Sequence, residues 1–555
     1  MPNSRSLYED VIEKNLCTLC GTCIGVCSVF TLENDKIVAD HSRCNTCGRC
    51  VSVCPGADFS YPKFNEMLFA ISNNYIISED IGKYTGIYRG WATDEVIRSR
   101  GSSGGAVSAV LCALLSEKYI DGAVVIGERN DSVGEYGAFI AKTEEEILSA
   151  AQSKYQFVPV NELIRDVLKM QGKYAFVGLP CQVHGLRKAM DENAVLKERI
   201  AYILGIFCGF NMHKDATDYL IKKSGISRSQ IKSLEYRGKY SSKYSDLIRN
   251  QSEEHKEETG FKITSSTGEI FFVNKHSYTF MNLFFCSSRC MKCYDFTAEF
   301  ADISFGDAWE EKKCTRIIVR TECGSESLKI AMRNYLYAED SSEEAIKTTQ
   351  MQLINHKKKY ISVRAKLFPD FPDYGIVFSN IFGIEKIKAA IFYIVYWLCS
   401  SPFGKISIRL FPIKLLGWLS SLLRDIFVGN YKTVMRYFVF GVCTVLLNFL
   451  LFNILNLVTD FRIANLVSII ATKCFAFYTN KTYVFETKTK TIMRSVKEFV
   501  RFLTARGFTG LIEFFGMILM VQFWMLNENF SKAVLIAITT VLNYILGKTK
   551  VFYKE

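Results

Sequence analysis

The sequence predicts a multidomain chain with an α+β module at its start, an α/β domain in its middle and an all-α, four-helix domain at its end. Three observations carry this. Residues 17–54 hold eight cysteines in two matching runs. Residues 61–375 alternate short apolar runs with stretches of helical periodicity. Residues 431–555 are the most apolar part of the chain and also the most basic, with 15 Lys and Arg against 6 Asp and Glu. A chain of 555 residues exceeds what one core organises, and the boundaries are expected at 1–60, 61–375, 376–430 and 431–555.

The cysteine runs read Cys17-x-x-Cys20-x-x-Cys23-x-x-x-Cys27 and Cys44-x-x-Cys47-x-x-Cys50-x-x-x-Cys54-Pro55. Spacings of two, two and three, written twice, are the ligand pattern of a ferredoxin-like 2x4Fe-4S module. Three thiolates on one tight loop face one cubane, and the fourth crosses to the other. Cys17, Cys20, Cys23 and Cys54 are thus expected on one cluster, and Cys44, Cys47, Cys50 and Cys27 on the second. Gly21 and Gly48 let each loop curl round the sulfurs. A zinc ribbon needs only paired Cys-x-x-Cys and leaves the other cysteines without a role. A disulfide framework does not suit a chain that opens without a secretory signal. Cys27 is followed by Ser28, unlike Cys54, which precedes proline.

In the middle region, Asp121–Gly127, Tyr174–Val177 and Ile200–Phe207 read as buried strands, and Ala106–Tyr119 and Glu144–Ala151 as helices. Ser99-Arg-Gly-Ser-Ser-Gly-Gly105 runs into the first of these helices. Such a loop offers backbone N–H groups, hydroxyls and the positive end of the helix dipole, the elements of a phosphate cradle; a simple helix cap is the competing reading. Gly178-Leu-Pro-Cys-Gln-Val-His184 opens another helix after a strand, where the Cys181 thiol is expected to have a lowered pKa. Cys286-x-x-x-Cys290-x-x-Cys293 gives three more thiolates. A fourth would come from Cys181 or Cys208, making a third 4Fe-4S cluster, with structural zinc as the competitor.

Taken in order, the cysteine module, Arg100-Gly-Ser-Ser-Gly-Gly105, Ser153-Lys-Tyr155, Gly178-Leu-Pro-Cys-Gln182, Gly205-Ile-Phe-Cys-Gly209, the Cys286–Cys293 triplet and Ala301-Asp-Ile-Ser-Phe-Gly-Asp307 resemble the beta subunit of coenzyme F420 hydrogenases and dehydrogenases. The resemblance covers about residues 10–375. It implies that the α/β domain binds FAD beside an iron-sulfur cluster, an arrangement that interconverts hydride and single-electron transfer. By matching motif it implies Ser102, Ser103, Gly104, Gly105, Ser153 and Lys154 as flavin contacts, and Cys181, Cys208, Cys286, Cys290 and Cys293 as the cysteines of the inner cluster. A ferredoxin-like or deazaflavin electron donor is expected, and the substrate does not carry over.

Beyond Gly375, Ala389–Cys399 is apolar but too short to span a bilayer. Ile406–Phe427 mixes Leu, Trp and Ile with Arg409, Lys414 and Arg424, as in an interfacial helix or an amphipathic docking helix. The last domain repeats itself. Met435-Arg-Tyr-Phe recurs as Val500-Arg-Phe-Leu, and Lys481-Thr-Tyr-Val-Phe485 as Lys548-Thr-Lys-Val-Phe552. Each copy contains two apolar stretches, hence four transmembrane helices in two like hairpins. Basic residues gather between the copies and not at the opposite turns, which puts both ends and the iron-sulfur modules on the cytosolic side of the cytoplasmic membrane.

This domain resembles the GtrA-like family, associated with moving polyprenyl-phosphate-linked sugars across the bacterial membrane, over about residues 431–555. A lipid phosphate would meet Arg436, Lys481 and Lys548 at the cytosolic boundary. The expectation for the whole chain is a membrane-bound iron-sulfur flavoprotein oxidoreductase coupled to lipid-linked sugar translocation in cell-surface polysaccharide biosynthesis. The alternative is an electron-transfer module without a substrate of its own, anchored by four helices. Basic residues concentrated at helix ends argue against a nucleic-acid partner.

Overall fold

The computed structural model describes residues 3–33, 36–70, 74–129, 132–240, 258–308, 313–368, 370–410, 431–459, 461–487, 492–520, 535, 538–540, 542–544, 546–547 and 551–552. The chain forms two compact units, Met1–Gly417 and Trp418–Glu555.

The first unit is built on an eight-stranded sheet. Its order is Leu336–Asp340, Gly86–Ala92, Thr315–Val319, Ile303–Asp307, Ile200–Ile206, Tyr174–Gly178, Gly122–Arg129 and Ser132–Ala141. The four strands from Ile303–Asp307 to Gly122–Arg129 run parallel, and antiparallel strands flank them on both sides. Parallel strands are buried on both faces, and successive side chains here enter different cores. Val125, Ala175 and Leu204 pack with Ala109 and Val110 of helix Ala106–Ser116 and with Leu328 of helix Glu322–Asn334. Val124, Phe176 and Ile203 pack with Val183 and Leu186 of helix Pro180–Glu192 and with Phe59 and Phe64. The three expected strands and both expected helices are present, the helices ending at Ser116 and Ser149. The antiparallel strands Gly86–Ala92, Thr315–Val319 and Leu336–Asp340 and a separate three-stranded sheet over Ile231–Asn274 escape the sequence pattern.

The N-terminal module docks on the second core. Asn161 N–H donates to Cys20 O (2.9 Å), and Lys188 Nζ donates to Cys54 O (3.1 Å). Gly21, at φ 87°, sits where a Cβ would lie 2.5 Å from Pro159 O, so the contact requires glycine. Ala389–Cys399 falls within helix Gly383–Ser400. Ile406–Phe427 begins in helix Pro402–Leu410 and otherwise lies outside the described residues.

In the second unit, helices Tyr431–Asn456, Phe461–Thr479 and Ile492–Ile518 account for three of the four expected apolar stretches. The fourth, near residues 533–546, is described only in pieces, at 535, 538–540, 542–544 and 546. Among the described residues no helix is long and apolar enough to cross a membrane. The charges contribute to this: Ile492–Ile518 carries Arg494, Lys497, Glu498, Arg501 and Arg506 in its first half. The internal repeat is visible in three dimensions. Phe485 N–H donates to Asn480 O and Phe552 N–H to Gly547 O, both at 2.8 Å and both across five residues. The two rings then stack, centroids 5.2 Å apart, in a core with Val484, Val551, Tyr437 and Tyr544.

Candidate functional site

The two cysteine runs fold alike. Leu19 and Thr46 both take a positive φ, and their N–H groups point at Cys17 Sγ and Cys44 Sγ, each at 3.4 Å. Gly21 and Gly48, both left-handed, start the short helices that carry Cys23 and Cys50. The sulfurs group crosswise. Burial, and next the neighbouring Cys54, push the Cys17 thiol up to about 12. Cys23 is raised by burial and then by Cys17, Cys54 and Cys20. Cys50 is pushed up to about 12 by burial and then by Cys27, Cys44 and Cys47. Three of the first set, Cys20, Cys23 and Cys54, are buried, whereas in the second only Cys50 is and Cys47 is exposed, so the second set lies nearer the surface.

Behind the first set lies a third. Cys181, Cys208, Cys290 and Cys293 line one cavity together with His184, Arg289 and Lys357. Cys286 is not on its wall; its thiol donates to Ser287 O. The lowered pKa expected for Cys181 at a helix start does not hold. Burial raises it well above the ordinary value, followed by Cys208, Cys20 and Cys293, because the crowding of thiols in an apolar pocket outweighs the helix dipole. Cys20, a member of the first set, is also a neighbour of Cys181. Among the described residues no three ligand side chains converge as they would on a single metal ion; a cubane is wider than one ion and is met by thiolates around its periphery.

The charges around this cavity test the fit. Lys357 is 1% exposed, Arg364 0% and Arg289 4%. Lys357 donates to Cys290 O (3.3 Å), Arg364 to Met291 O, Cys293 O and Lys357 O, and Arg289 to Pro55 O, Lys292 O and the Tyr374 hydroxyl. None of the three has a carboxylate partner among the described residues. Three other buried cations nearby do: Lys358 pairs with Glu299, Arg187 with Asp302 and Lys188 with Asp58, whereas Arg320, also fully buried, donates to Ser304 Oγ, the Thr297 hydroxyl and the carbonyls of Ile81, Lys83 and Thr297. Isolated buried charge is costly, and a cluster held by four thiolates would supply the missing negative charge. Sequence reasoning missed these cations. The signal was present in His356-Lys-Lys-Lys359, a run that ordinarily reads as a solvated face. Here it lies in a π-helix, Asn355–Lys359, which buries Lys357 and Lys358.

The Ser102–Gly105 loop and Ser153–Lys154 meet. Ser153 N–H and hydroxyl both donate to Ser102 Oγ, at 2.7 and 3.0 Å, and the Ser103 hydroxyl lies 3.0 Å from Thr315 Oγ1. Gly104 differs from expectation. Its N–H already donates to Thr315 Oγ1 (2.9 Å), and a Cβ there would lie 2.7 Å from Gly90 O, so its close approach is to the protein's own strands. Gly105, at φ 75°, backs onto Ile97 O. Lys154 is half-buried, and desolvation of its ammonium lowers its pKa to about 8. Among the described residues it donates to the carbonyls of Ala150 and Ala151 and to no carboxylate, so it too is a cation able to take an anion. Beside it Tyr155 packs against Tyr236 and Tyr278. The Tyr278 hydroxyl is buried with no hydrogen-bond partner among the described residues. These features suit a phosphate-bearing aromatic cofactor, with Cys208 of the third set near Tyr155.

In the second unit, Arg436 donates to Tyr483 O and pairs with Glu486. Lys481 pairs with Glu498 (2.9 Å) and donates to Ser495 Oγ (2.7 Å). Lys548 lies outside the described residues.

Comparison with known proteins matches four stretches of the chain. Residues 9–55 match the 4Fe-4S dicluster domain. Residues 87–165 and 171–344 match the N-terminal and C-terminal parts of the coenzyme F420 hydrogenase/dehydrogenase beta subunit. Residues 436–552 match the GtrA/DPMS transmembrane domain. The chain is 27% identical over 375 residues to the coenzyme F420-dependent sulfite reductase of Methanocaldococcus jannaschii, covering 64% of this chain and 52% of that one; it therefore spans about half the length of that relative. It is 25% identical over 271 residues to the coenzyme F420 hydrogenase subunit beta of Methanothermobacter thermautotrophicus, covering 48% and 87%. Its C-terminal part is 32% identical over 134 residues to the cell wall teichoic acid glycosylation protein GtcA of Listeria monocytogenes, covering 24% and 86%.

Proposed function

Because the chain belongs to the coenzyme F420 hydrogenase/dehydrogenase beta subunit family and carries a 4Fe-4S dicluster domain and a GtrA/DPMS transmembrane domain, we propose that it is a membrane-bound iron-sulfur flavoprotein oxidoreductase serving the handling of polyprenyl-phosphate-linked sugars for the cell surface. Cys17, Cys20, Cys23 and Cys54 hold one outer cluster, and Cys27, Cys44, Cys47 and Cys50 the other. Cys181, Cys208, Cys290 and Cys293 hold the inner one, with Cys286 beside Cys290 as a thiol neighbour. FAD lies against Ser102, Ser103, Ser153 and Lys154, with Lys154 on a phosphate. When bound, these groups supply one-electron transfer and its conversion to hydride chemistry. The protein's part is to order the sites from exposed Cys47, through the buried first set, to the inner set and the Tyr155 pocket, and to balance their charge.

The observation that supports the redox reading is the trio Lys357, Arg289 and Arg364, buried with no carboxylate partner among the described residues, the first two lining the cavity of four thiols and the third bonded to Cys293 O. The membrane reading rests on the GtrA/DPMS match and on the exposed Leu446, Leu450, Ile454, Leu466, Ile470, Leu511 and Phe515 of the second unit, side chains that water would not favour in such number. Residues 439–456 contain no Asp, Glu, Lys or Arg. The teichoic acid role of GtcA is what points to a polysaccharide context. Arg436, Lys481 and Lys548 are proposed to meet the lipid phosphate, the first two by exchanging their present carboxylate partners for it. The electron donor is a ferredoxin or a deazaflavin of the kind named for the relatives.

Anaerobic purification with iron, sulfide and flavin analysis, followed by turnover of a lipid-linked sugar with reduced donor, tests this. Twelve irons per chain, one FAD and donor oxidation that depends on the sugar lipid are expected, about four irons per cluster. Iron and flavin at those levels with no dependence on any sugar lipid would favour the anchored electron-transfer module.

A further inference from the structure

Helix Gly383–Ser400 is two-faced in an unusual way. One side is docked on the first unit. Ala389, Tyr393 and Tyr396 are buried, the Tyr393 hydroxyl bonds His356 Nδ1 (3.1 Å), and the Tyr396 hydroxyl donates to Cys286 O (3.4 Å). The opposite side is apolar and open. Ile387, Ile391, Ile394 and Leu398 follow one another at steps of four, three and four, which is a single helix face, and Trp397 flanks them at 66% exposure. A helix whose docked side already supplies its tertiary contacts has no structural need for a second apolar stripe facing water.

We propose that this stripe lies in the headgroup region of the cytosolic leaflet and holds the iron-sulfur unit flat on an anionic lipid surface. Three observations choose lipid over a protein partner. The helix is shorter than a bilayer span and has an aromatic ring at its edge, as interfacial helices do. Charge is complementary: residues 383–410 carry Lys386, Lys388, Lys405 and Arg409 against Glu385 alone, and Lys386, Lys405 and Arg409 are exposed, so the stripe is bracketed by basic residues at both ends. The chain is also already committed to the membrane, since the match to a transmembrane domain starts at residue 436. The consequence for function is that Tyr396, hydrogen-bonded to the backbone of Cys286, leaves a single helix between the lipid surface and the inner cysteine set, so a lipid-borne substrate would be met at that surface. The inference rests on the membrane reading above.

The test uses the full chain in nanodiscs containing phosphatidylglycerol, with a benzophenone amino acid in place of Trp397 and cluster content checked by iron analysis. Illumination is expected to give a lipid adduct at residue 397. Adding Ile391→Glu and Ile394→Glu, both at exposed positions, should abolish that adduct while iron content stays unchanged. Cross-linking to a second copy or to another peptide of the same chain would assign the stripe to a protein partner and overturn the proposal, as would a probe that reacts with neither. A chain that fails to enter the discs would overturn the membrane reading together with it. Entry without a lipid adduct at residue 397 would overturn only this inference.

Discussion

The two units put their unusual residues in opposite places. In Met1–Gly417 the anomaly is inside: Lys357, Arg364 and Arg289 are buried among carbonyls and thiols. In Trp418–Glu555 it is outside: Leu450, Ile454, Leu466 and Phe515 are each more than half exposed on long helices. Each would be a fault in an ordinary soluble domain, and each disappears when the missing environment is supplied. An anionic cluster would neutralise the first, and hydrocarbon would replace water around the second. The contrast teaches that a charge without a partner and a leucine without a cover are both readings of what is bound.

The largest effect should follow from removing the anion. Cys181→Ser takes away one of four thiolates, so about a third of the iron should be lost if the chain holds three cubanes. Three cations are then left uncompensated, costing on the order of 3–5 kcal/mol of stability. Adding Lys357→Met to Cys181→Ser should restore part of that stability without restoring iron. Unchanged iron in Cys181→Ser would break the comparison at its first half.

Its second half breaks or holds on a pair of like substitutions. Leu450→Asp, at 56% exposure, should cost about 3 kcal/mol if the side chain faces lipid. Met332→Asp, at 43% exposure on helix Glu322–Asn334, should stay within about 0.5 kcal/mol. Protease resistance of each unit in membranes measures both, and equal costs would mean that one solvent surrounds both surfaces.

Two smaller effects sharpen the charge argument. Lys357→Met withdraws positive charge from beside the inner cluster, so reduction becomes harder. With an effective dielectric near 20 and a separation of several ångströms the change is about 2 kcal/mol, on the order of 100 mV towards negative potential, read by redox titration followed by electron paramagnetic resonance. Lys154 titrates near 8 because its ammonium is desolvated. Its folded value is depressed, so the unfolded chain binds more protons between about 8 and 10.5 and the empty protein gains stability as pH rises through that window. Flavin binding should move the other way, weakening as pH climbs through about 8 and the ammonium is lost. Equilibrium dialysis with FAD reads this, and Lys154→Ala should abolish the slope.

What the sequence could and could not disclose follows from range. The crosswise cysteine sets were legible because ligand spacing is local and chemically restrictive. The parallel strands were legible as continuous apolar runs such as Ile200–Phe207. The antiparallel strand Gly86–Ala92 was not, because its half-buried pattern and three polar or glycine positions resemble a loop. The cations at the inner site were hidden because burial of Lys357 depends on a π-helix and on contacts far along the chain. Gly104 was named as a flavin contact by matching motif, and only the fold tells that its close approach is to Gly90 and Thr315. The duplication in the last domain was legible from the paired Val-Phe endings, though not that the two endings touch.

That contact gives the smallest and most specific prediction, because it tests whether the second unit has an ordered interior of its own. Phe485 and Phe552 hold equivalent places in the two copies, each following a five-residue hydrogen-bonded turn from Asn480 or Gly547, and their rings stack at 20°. If the copies were independent anchors, Phe485→Ala and Phe552→Ala would add. If they close one core with Tyr437 and Tyr544, the double variant should lose less than the sum, by about 1 kcal/mol, the usual coupling of a stacked aromatic pair. The cycle is best measured by unfolding in mild detergent, with iron content of the first unit as a control that should not move. A coupling near zero would leave the helices as an outside without an inside.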